Sequence, residues 1–177
     1  MSHENQDPIK KRIATIGGTF DALHRGHQEY IKKAFDKADY VIIYMSTNEY
    51  LQYRKTKNYQ VKPYEERYNQ LEIFVKQLGC ENRCEIRPHN KEDDFSVAFL
   101  NEFTRHDTVY MAIVSPEYEN RFSEINRLRE AKGLESIELV VKPRLRDGKN
   151  DLSSGTVRSQ LKPASLRNIV VDDMVIE

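Results

Sequence analysis

This chain of 177 residues has two cysteines, no net charge and no long apolar run. Lysine plus arginine and aspartate plus glutamate number 28 each, so no net charge attracts nucleic acid or an anionic membrane. No apolar run approaches the roughly 18 residues of a membrane-spanning helix. The first residues are polar and lack the apolar centre of a signal peptide, so we expect a disordered lead-in over 1–10 and a cytoplasmic protein.

The two cysteines, Cys80 and Cys84, have no second pair and no histidine pair near them in the sequence. A structural zinc site needs about four such ligands. We therefore expect two reduced thiols and no metal ion held by the protein itself.

Apolar runs alternate with amphipathic stretches along most of the chain, which predicts an α/β fold. We predict a doubly wound, Rossmann-like, five-stranded parallel sheet with helices on both faces, in one domain over 1–177. The predicted strands are 12–16, 40–46, 84–88, 108–115 and 137–142, and the predicted helices are 26–37, 63–78, 95–104, 119–132 and 154–161. Residues 163–177 fit either a strand or a docked tail. Ligands of such folds bind beyond the carboxyl ends of the strands.

A glycine pair followed by two histidines is the most informative motif: Ile16-Gly17-Gly18-Thr19-Phe20-Asp21-Ala22-Leu23-His24-Arg25-Gly26-His27. We predict a strand before the glycines, a turn at them and a helix after them. Such a turn brings free backbone N–H groups and the positive end of a helix to one point, which suits a polyphosphate. Glycine lets the backbone pass close to a ligand. The imidazoles add donors where charge builds up on a transferring phosphate.

Paired hydroxyls and an arginine recur late in the chain, in Ser153-Ser154-Gly155-Thr156-Val157-Arg158. Serine can cap a helix, and arginine can bind phosphate through two donors. The same string also fits an ordinary helix cap in a polar loop. Because it follows the fifth predicted strand, we expect it at the same sheet edge as the glycine motif.

Both motifs resemble the hallmarks of the HxGH nucleotidyltransferase superfamily, an H-x-G-H turn and a late I-S-S-T-x-x-R element. Other segments are similar to the archaeal and eukaryotic type of the phosphopantetheine adenylyltransferase family: Pro63-Tyr64-x-Glu66-Arg67, Val114-Ser115-Pro116-Glu117 and Ile125-Asn126-Arg127-x-Arg129. The resemblance spans about residues 12 to 162. Gly155 departs from the pattern, since the family usually has threonine or serine there, and the neighbouring Thr156 offers a substitute hydroxyl.

The resemblance implies transfer of AMP from ATP to 4'-phosphopantetheine, giving dephospho-coenzyme A and pyrophosphate. It implies direct attack by the acceptor phosphate, without a covalent enzyme intermediate, and Mg²⁺ carried mainly by the ATP phosphates. The implied catalytic residues are His27, His24, Lys55 and Arg158. The implied binding residues are Gly17, Gly18, Thr19, Phe20, Asp21, Lys57, Ser115, Glu117, Asn126, Arg127, Ser153, Ser154 and Thr156.

Several charged residues fit two interpretations. Lys55 and Lys57, which follow the second predicted strand, fit a loop that holds the acceptor phosphate as well as a solvated charged loop. Arg67 stands beside two glutamates, so a structural ion pair and a ligand contact both remain open. We expect Asn126 and Arg127 to reach the adenosine or the phosphates, and Arg129 to face away.

Two other functions stay open. One is a different enzyme of the superfamily: a nicotinamide-mononucleotide adenylyltransferase, an FAD synthetase or a polyol-phosphate cytidylyltransferase. Ala22 argues against a nicotinamide-mononucleotide adenylyltransferase, which usually has proline there. The Ser153-Ser154 pair argues against a cytidylyltransferase, which has threonines in this element. The other is a non-catalytic sensor of nucleotide or coenzyme A, against which the retained histidines and Arg158 argue. The sequence leaves the oligomeric state open.

Overall fold

A five-stranded parallel sheet organises the protein in the computed structural model, which describes residues 9–54, 60–90, 95–142, 146–147 and 150–151. Its order is β3-β2-β1-β4-β5, as expected for a Rossmann-like sheet. The strands are β1 (Lys11–Gly18), β2 (Tyr40–Ser46), β3 (Cys84–His89), β4 (Thr108–Val114) and β5 (Glu138–Val141). A short antiparallel pair follows, β6 (Arg146–Asp147) and β7 (Asn150–Asp151). The predicted fold class is confirmed.

Five α-helices connect or flank these strands in the described residues. They are α1 (Arg25–Lys37), α2 (Asn48–Arg54), α3 (Tyr64–Gln77), α4 (Phe95–Asn101) and α5 (Glu119–Ala131). None of the helices in the described ranges has the length and apolar character needed to cross a membrane. The predicted lead-in up to residue 8, the predicted helix 154–161 and the tail 163–177 lie outside the described residues.

Two hydrophobic clusters cover the two faces of the sheet. Helices α1 and α3 contribute Tyr30, Ile31 and Leu71 to one cluster. Helices α4 and α5 contribute Phe99 and Phe122 to the other, where their rings lie 5.3 Å apart, edge to face. Because both faces are covered, the central strands are apolar along nearly their whole length, as β2 shows.

The strand order reverses between β1 and β4: successive strands are added first on one side of β1 and then on the other. The chain passes from β1 through β2 to β3, then crosses to β4 on the other side of β1. A crevice beyond the carboxyl ends of the strands is expected at such a reversal. The glycine motif runs from the last residues of β1 into α1, and Ser115 follows β4, so both lie at this crevice.

Helix α2 was not among the predicted elements. Thr47 begins it: the Tyr50 N–H donates to Thr47 Oγ1 at 3.1 Å, and the Leu51 N–H donates to the Thr47 carbonyl at 3.1 Å. Threonine at this position is a favoured helix cap, and Glu49 adds an acidic residue in the first turn. These two signals, in a segment with few apolar residues, mark the start of the helix.

Candidate active site

The turn after β1 begins later than the sequence suggested. Gly17 and Gly18 are the last residues of the strand and pair with Tyr44 and Met45 of β2. The residue with a positive φ is Phe20, at 50°. Bulky side chains rarely adopt this conformation, and such outliers cluster at functional sites. Full burial of the Phe20 ring holds it in place.

His24 caps helix α1. Its φ and ψ are extended, at −75° and 174°, and its Nδ1 accepts a hydrogen bond from the His27 N–H at 3.3 Å. An acceptor side chain at this position satisfies one of the N–H groups that every helix leaves unpaired in its first turn. The histidine thereby fixes the start of the helix that follows the turn.

His27 lies in the first turn of α1 and is almost completely buried. Its ring stacks on His24, with centroids 4.0 Å apart and planes 17° apart, and meets the Phe20 ring at 5.1 Å. Its Nδ1 lies 2.8 Å from the Ala22 carbonyl. A carbonyl only accepts, so Nδ1 carries the hydrogen, and Nε2 carries one only in the imidazolium form. Donation from Nε2 to a phosphate therefore requires that charged form.

Three buried hydroxyls stand at this edge without a hydrogen-bond partner in the described part of the chain: Thr19, Ser46 and Ser115. They occupy the carboxyl-terminal ends of three neighbouring strands, β1, β2 and β4. A buried hydroxyl without a partner costs about 1–3 kcal/mol. Three such groups at one edge of one sheet indicate a site where a ligand supplies the missing partners.

Arg67 of α3 is fully buried next to the ends of β1 and β2 at this edge. Its Nη1 donates to the carbonyls of Thr19, at 2.9 Å, and Ser46, at 2.7 Å. Its Nε donates to the Lys62 carbonyl and its Nη2 to Asn48 Oδ1, both at 2.8 Å. Burial lowers the pKa of Arg67 to about 10, so the side chain remains charged at neutral pH. The structure supports neither the ion pair with its neighbouring glutamates nor a direct ligand contact.

Asp21 and Asn48 fix the segment before α3 against the edge. Asp21 Oδ1 accepts from the Lys62 N–H at 2.8 Å, and Asn48 Nδ2 donates to the Lys62 carbonyl at 3.2 Å. A cavity of about 390 Å³ opens beside this segment. Its lining residues are Asn48, Leu51, Gln52, Gln60, Val61, Pro63 and Tyr64.

The structure does not bring every predicted site residue to this edge. Both polar atoms of the Asn126 side chain bond to the backbone of Ile137, immediately before β5 and so at the opposite end of the sheet. Arg127 is exposed and pairs with Glu124 at 2.5 Å. Helix α5 begins near the site and runs away from it, so Asn126 and Arg127 lie far from the site. This geometry does not support their contact with the nucleotide.

Glu117 lies at the correct edge, in a single exposed 3₁₀ turn, Pro116–Tyr118, that follows Ser115. Arg129 lies two residues beyond Arg127 and is buried at the opposite edge. The remaining predicted site residues lie outside the described ranges: Lys55, Lys57, Ser153, Ser154, Thr156 and Arg158.

The cysteines stand far from the histidines. Cys84 begins β3, at the opposite edge of the sheet, and both cysteines are free thiols, as the sequence predicted. The pKa of Cys84 is raised to about 12. Burial is the largest cause, and the nearby Cys80 and Glu85 act in the same direction. The thiol is therefore protonated at neutral pH, and the protonated thiol is not the nucleophilic form.

The sequence profile of the cytidylyltransferase-like family matches residues 15–165. The match begins within β1, includes the glycine motif and both histidines, and extends past β7. It places the chain in this class of nucleotidyltransferases, in agreement with the sheet order and with the site at the end of β1.

Relatives narrow the class. The phosphopantetheine adenylyltransferase of Methanopyrus kandleri is 33% identical over 158 residues, covering 89% of this chain and 95% of the relative. That of Methanosarcina barkeri is 35% identical over 128 residues, covering 71% and 72%. The chain belongs to the phosphopantetheine adenylyltransferase family, as its motifs indicated.

A solved structure supports the fold alone. A protein of unknown function from Archaeoglobus fulgidus has a TM-score of 0.55 at 23% identity, covering 80% of this chain and 99% of that one.

Proposed function

We propose that this protein transfers AMP from ATP to 4'-phosphopantetheine, producing dephospho-coenzyme A and pyrophosphate. The observation that carries the proposal is the stacked histidine pair in the first turn of α1, directly beyond β1, in a chain of this family. A phosphate oxygen of the acceptor forms a bond to the α-phosphorus of ATP. The bond from that phosphorus to the bridging oxygen of the β-phosphate breaks, and pyrophosphate leaves with the electron pair.

Such a transfer asks the protein for position and for charge stabilisation rather than for a nucleophile. The amino end of the 13-residue helix α1 offers N–H groups and the positive end of its dipole to the triphosphate. His27 donates from Nε2 to the phosphate on which charge builds up, and the Ala22 carbonyl and the His24 ring hold its imidazole in place. Lys55 and Arg158 add positive charge from segments outside the described residues.

Magnesium enters as the partner of ATP. Among the described residues, no group of three or more histidine, cysteine or acidic side chains is placed to hold a metal ion. We propose that phosphate oxygens and water supply most ligands of Mg²⁺, which this ion readily accepts. Chelation with EDTA is expected to stop turnover, and excess Mg²⁺ should restore it without refolding the protein. Full activity in EDTA would contradict this part of the proposal.

A substrate panel tests the proposal against its alternatives. Pyrophosphate release is measured with ATP or CTP and with 4'-phosphopantetheine, nicotinamide mononucleotide, FMN or a polyol phosphate as acceptor. We expect release only with ATP and 4'-phosphopantetheine. Release with another pair would assign the chain to a different enzyme of the superfamily. Nucleotide binding without release from any pair would favour a sensor.

Removing both Lys55 and Lys57 tests their predicted contact with the acceptor. The double alanine variant is expected to raise the KM for 4'-phosphopantetheine at least about tenfold, because two charge-assisted contacts are lost, and to leave the KM for ATP within about twofold. The matched control replaces Lys37 and Lys76, two exposed lysines at the last turns of α1 and α3, on the far edge. If the two double variants have the same kinetics, Lys55 and Lys57 are solvated and do not contact the acceptor.

A further inference from the structure

Arg67 locks the ends of two strands together at the candidate site. The carbonyls of Thr19 and Ser46 bond to the same Nη1 atom, so these residues lie side by side beyond β1 and β2. Both also carry a buried hydroxyl without a partner in the described part of the chain. One guanidinium therefore positions two of the three residues that offer unused hydroxyl donors.

The charge of Arg67 has no counter-ion in the described part of the chain. Its four hydrogen bonds to described residues go to neutral oxygens, and none of the described carboxylates lies at ion-pair distance from it. Burying a charge without a counter-ion is unfavourable, and an anion nearby compensates for it. The guanidinium bonds to the carbonyls of the two residues that carry the unused hydroxyls, so a phosphate that binds at these residues would serve as that anion.

We propose that Ser46 contacts the phosphate of the acceptor and that Arg67 is the positioning residue for this contact. Ser46 donates its hydroxyl to a phosphate oxygen beside Thr19. Arg67 holds Thr19 and Ser46 side by side through their carbonyls, and its positive charge attracts the phosphate. The proposal deepens the proposed function and rests on it for the identity of the acceptor.

The position of Arg67 favours the acceptor over ATP. Its Nη2 donates to Asn48, and Asn48 lines the cavity beside α2. This cavity lies on the β2 side of β1, whereas Ser115 follows β4, on the other side of β1. An acceptor with its phosphate at Ser46 can extend into the cavity, whose Gln52 and Gln60 side chains offer amides to a polar chain.

Ser46→Ala is the sharpest test because it removes one oxygen and leaves the backbone contact of Arg67 in place. We expect the KM for 4'-phosphopantetheine to rise about tenfold or more, the range for losing a hydrogen bond to a charged group, with the KM for ATP within about twofold. The unfolding temperature should not fall, because the lost hydroxyl has no partner among the residues that the structure describes. An unchanged KM for the acceptor would overturn the contact.

Arg67→Lys tests positioning, with Arg129→Lys as the matched control. Arg129 is also buried, and within the described ranges it donates to backbone carbonyls alone, those of Phe99, Phe103 and Glu135, at the opposite edge. Both variants keep the charge and lose the planar fork of donors, so both should unfold at lower temperature. Only Arg67→Lys should raise the KM for the acceptor, about tenfold. A KM unchanged in both, with equal loss of stability, would make Arg67 purely structural. If Arg67→Lys does not fold, Ser46→Ala decides alone.

Inorganic phosphate separates this inference from the proposed function. The rise in unfolding temperature with phosphate concentration gives an apparent Kd without any turnover. If the wild-type protein makes no dephospho-coenzyme A, the proposed function fails. A Kd for phosphate that is still weakened about tenfold by Ser46→Ala would then support the anion site itself. A Kd unchanged in Ser46→Ala would overturn the site whatever the reaction.

Discussion

Replacing His27 with alanine is expected to lower kcat by two to three orders of magnitude. One well-placed donor to the charge that develops in a transition state is typically worth about 3–4 kcal/mol. The KM for ATP should change less, because the amino end of α1 and the residues proposed to bind the phosphates from other segments remain. Steady-state kinetics with 4'-phosphopantetheine at saturating Mg²⁺ measure both parameters.

His106→Ala is the matched control for this experiment. His106 is exposed and stands just before β4, at the edge of the sheet opposite to His27, so its loss should leave kcat within about twofold. Because His27 is buried and contacts the Ala22 carbonyl, the unfolding temperature of each variant is measured as well. A folded His27→Ala protein with near-normal turnover would remove the role assigned to this imidazole.

Replacing Arg129 with methionine is expected to lower the free energy of unfolding by about 3 kcal/mol, which corresponds to roughly 6–12 °C in a protein of this size. The variant leaves the buried carbonyls of Phe99 and Phe103, and that of Glu135, without their donor. Turnover below the melting temperature should not change, since these groups lie far from the histidines. Chemical denaturation followed by circular dichroism measures the loss.

Arg127→Met provides the comparison two residues away. Arg127 is exposed, and its pair with Glu124 joins two exposed side chains, so its loss should change the free energy of unfolding by under about 0.5 kcal/mol. Equal destabilisation of the two variants would show that the buried carbonyl contacts contribute little.

The sheet was predictable because its signal is carried by many residues at once. The run from Val41 to Met45 is apolar on both faces, and a strand of that kind fits only a sheet covered on both sides. β2 has the predicted bounds, and the other four strands of the sheet differ from the prediction by two residues or fewer at each end. Helix α2 was missed because its seven residues carry no clear apolar period, and its start depends on the single cap at Thr47.

The polar interior was not predictable in the same way. Arginine is rarely buried, so the residue type alone did not indicate that Arg67 and Arg129 are buried while Arg127 is exposed. Their roles depend on carbonyls distant in the chain, such as that of Ser46, 21 residues before Arg67. The glycine motif revealed the histidine pair because its residues are contiguous. Ser46 gave no such signal, because its importance follows from the fold that places it beside Thr19.

We expect the turn after β1 and the late Ser153-to-Arg158 segment to bind one triphosphate together. A crystal structure with ATP and Mg²⁺ bound tests this most directly. We expect the triphosphate beyond β1 and β4, with His27 Nε2 and the Arg158 guanidinium both within hydrogen-bond distance of its oxygens. A triphosphate at any other edge, or one that His27 contacts while Arg158 points to another face of the molecule, would contradict the account.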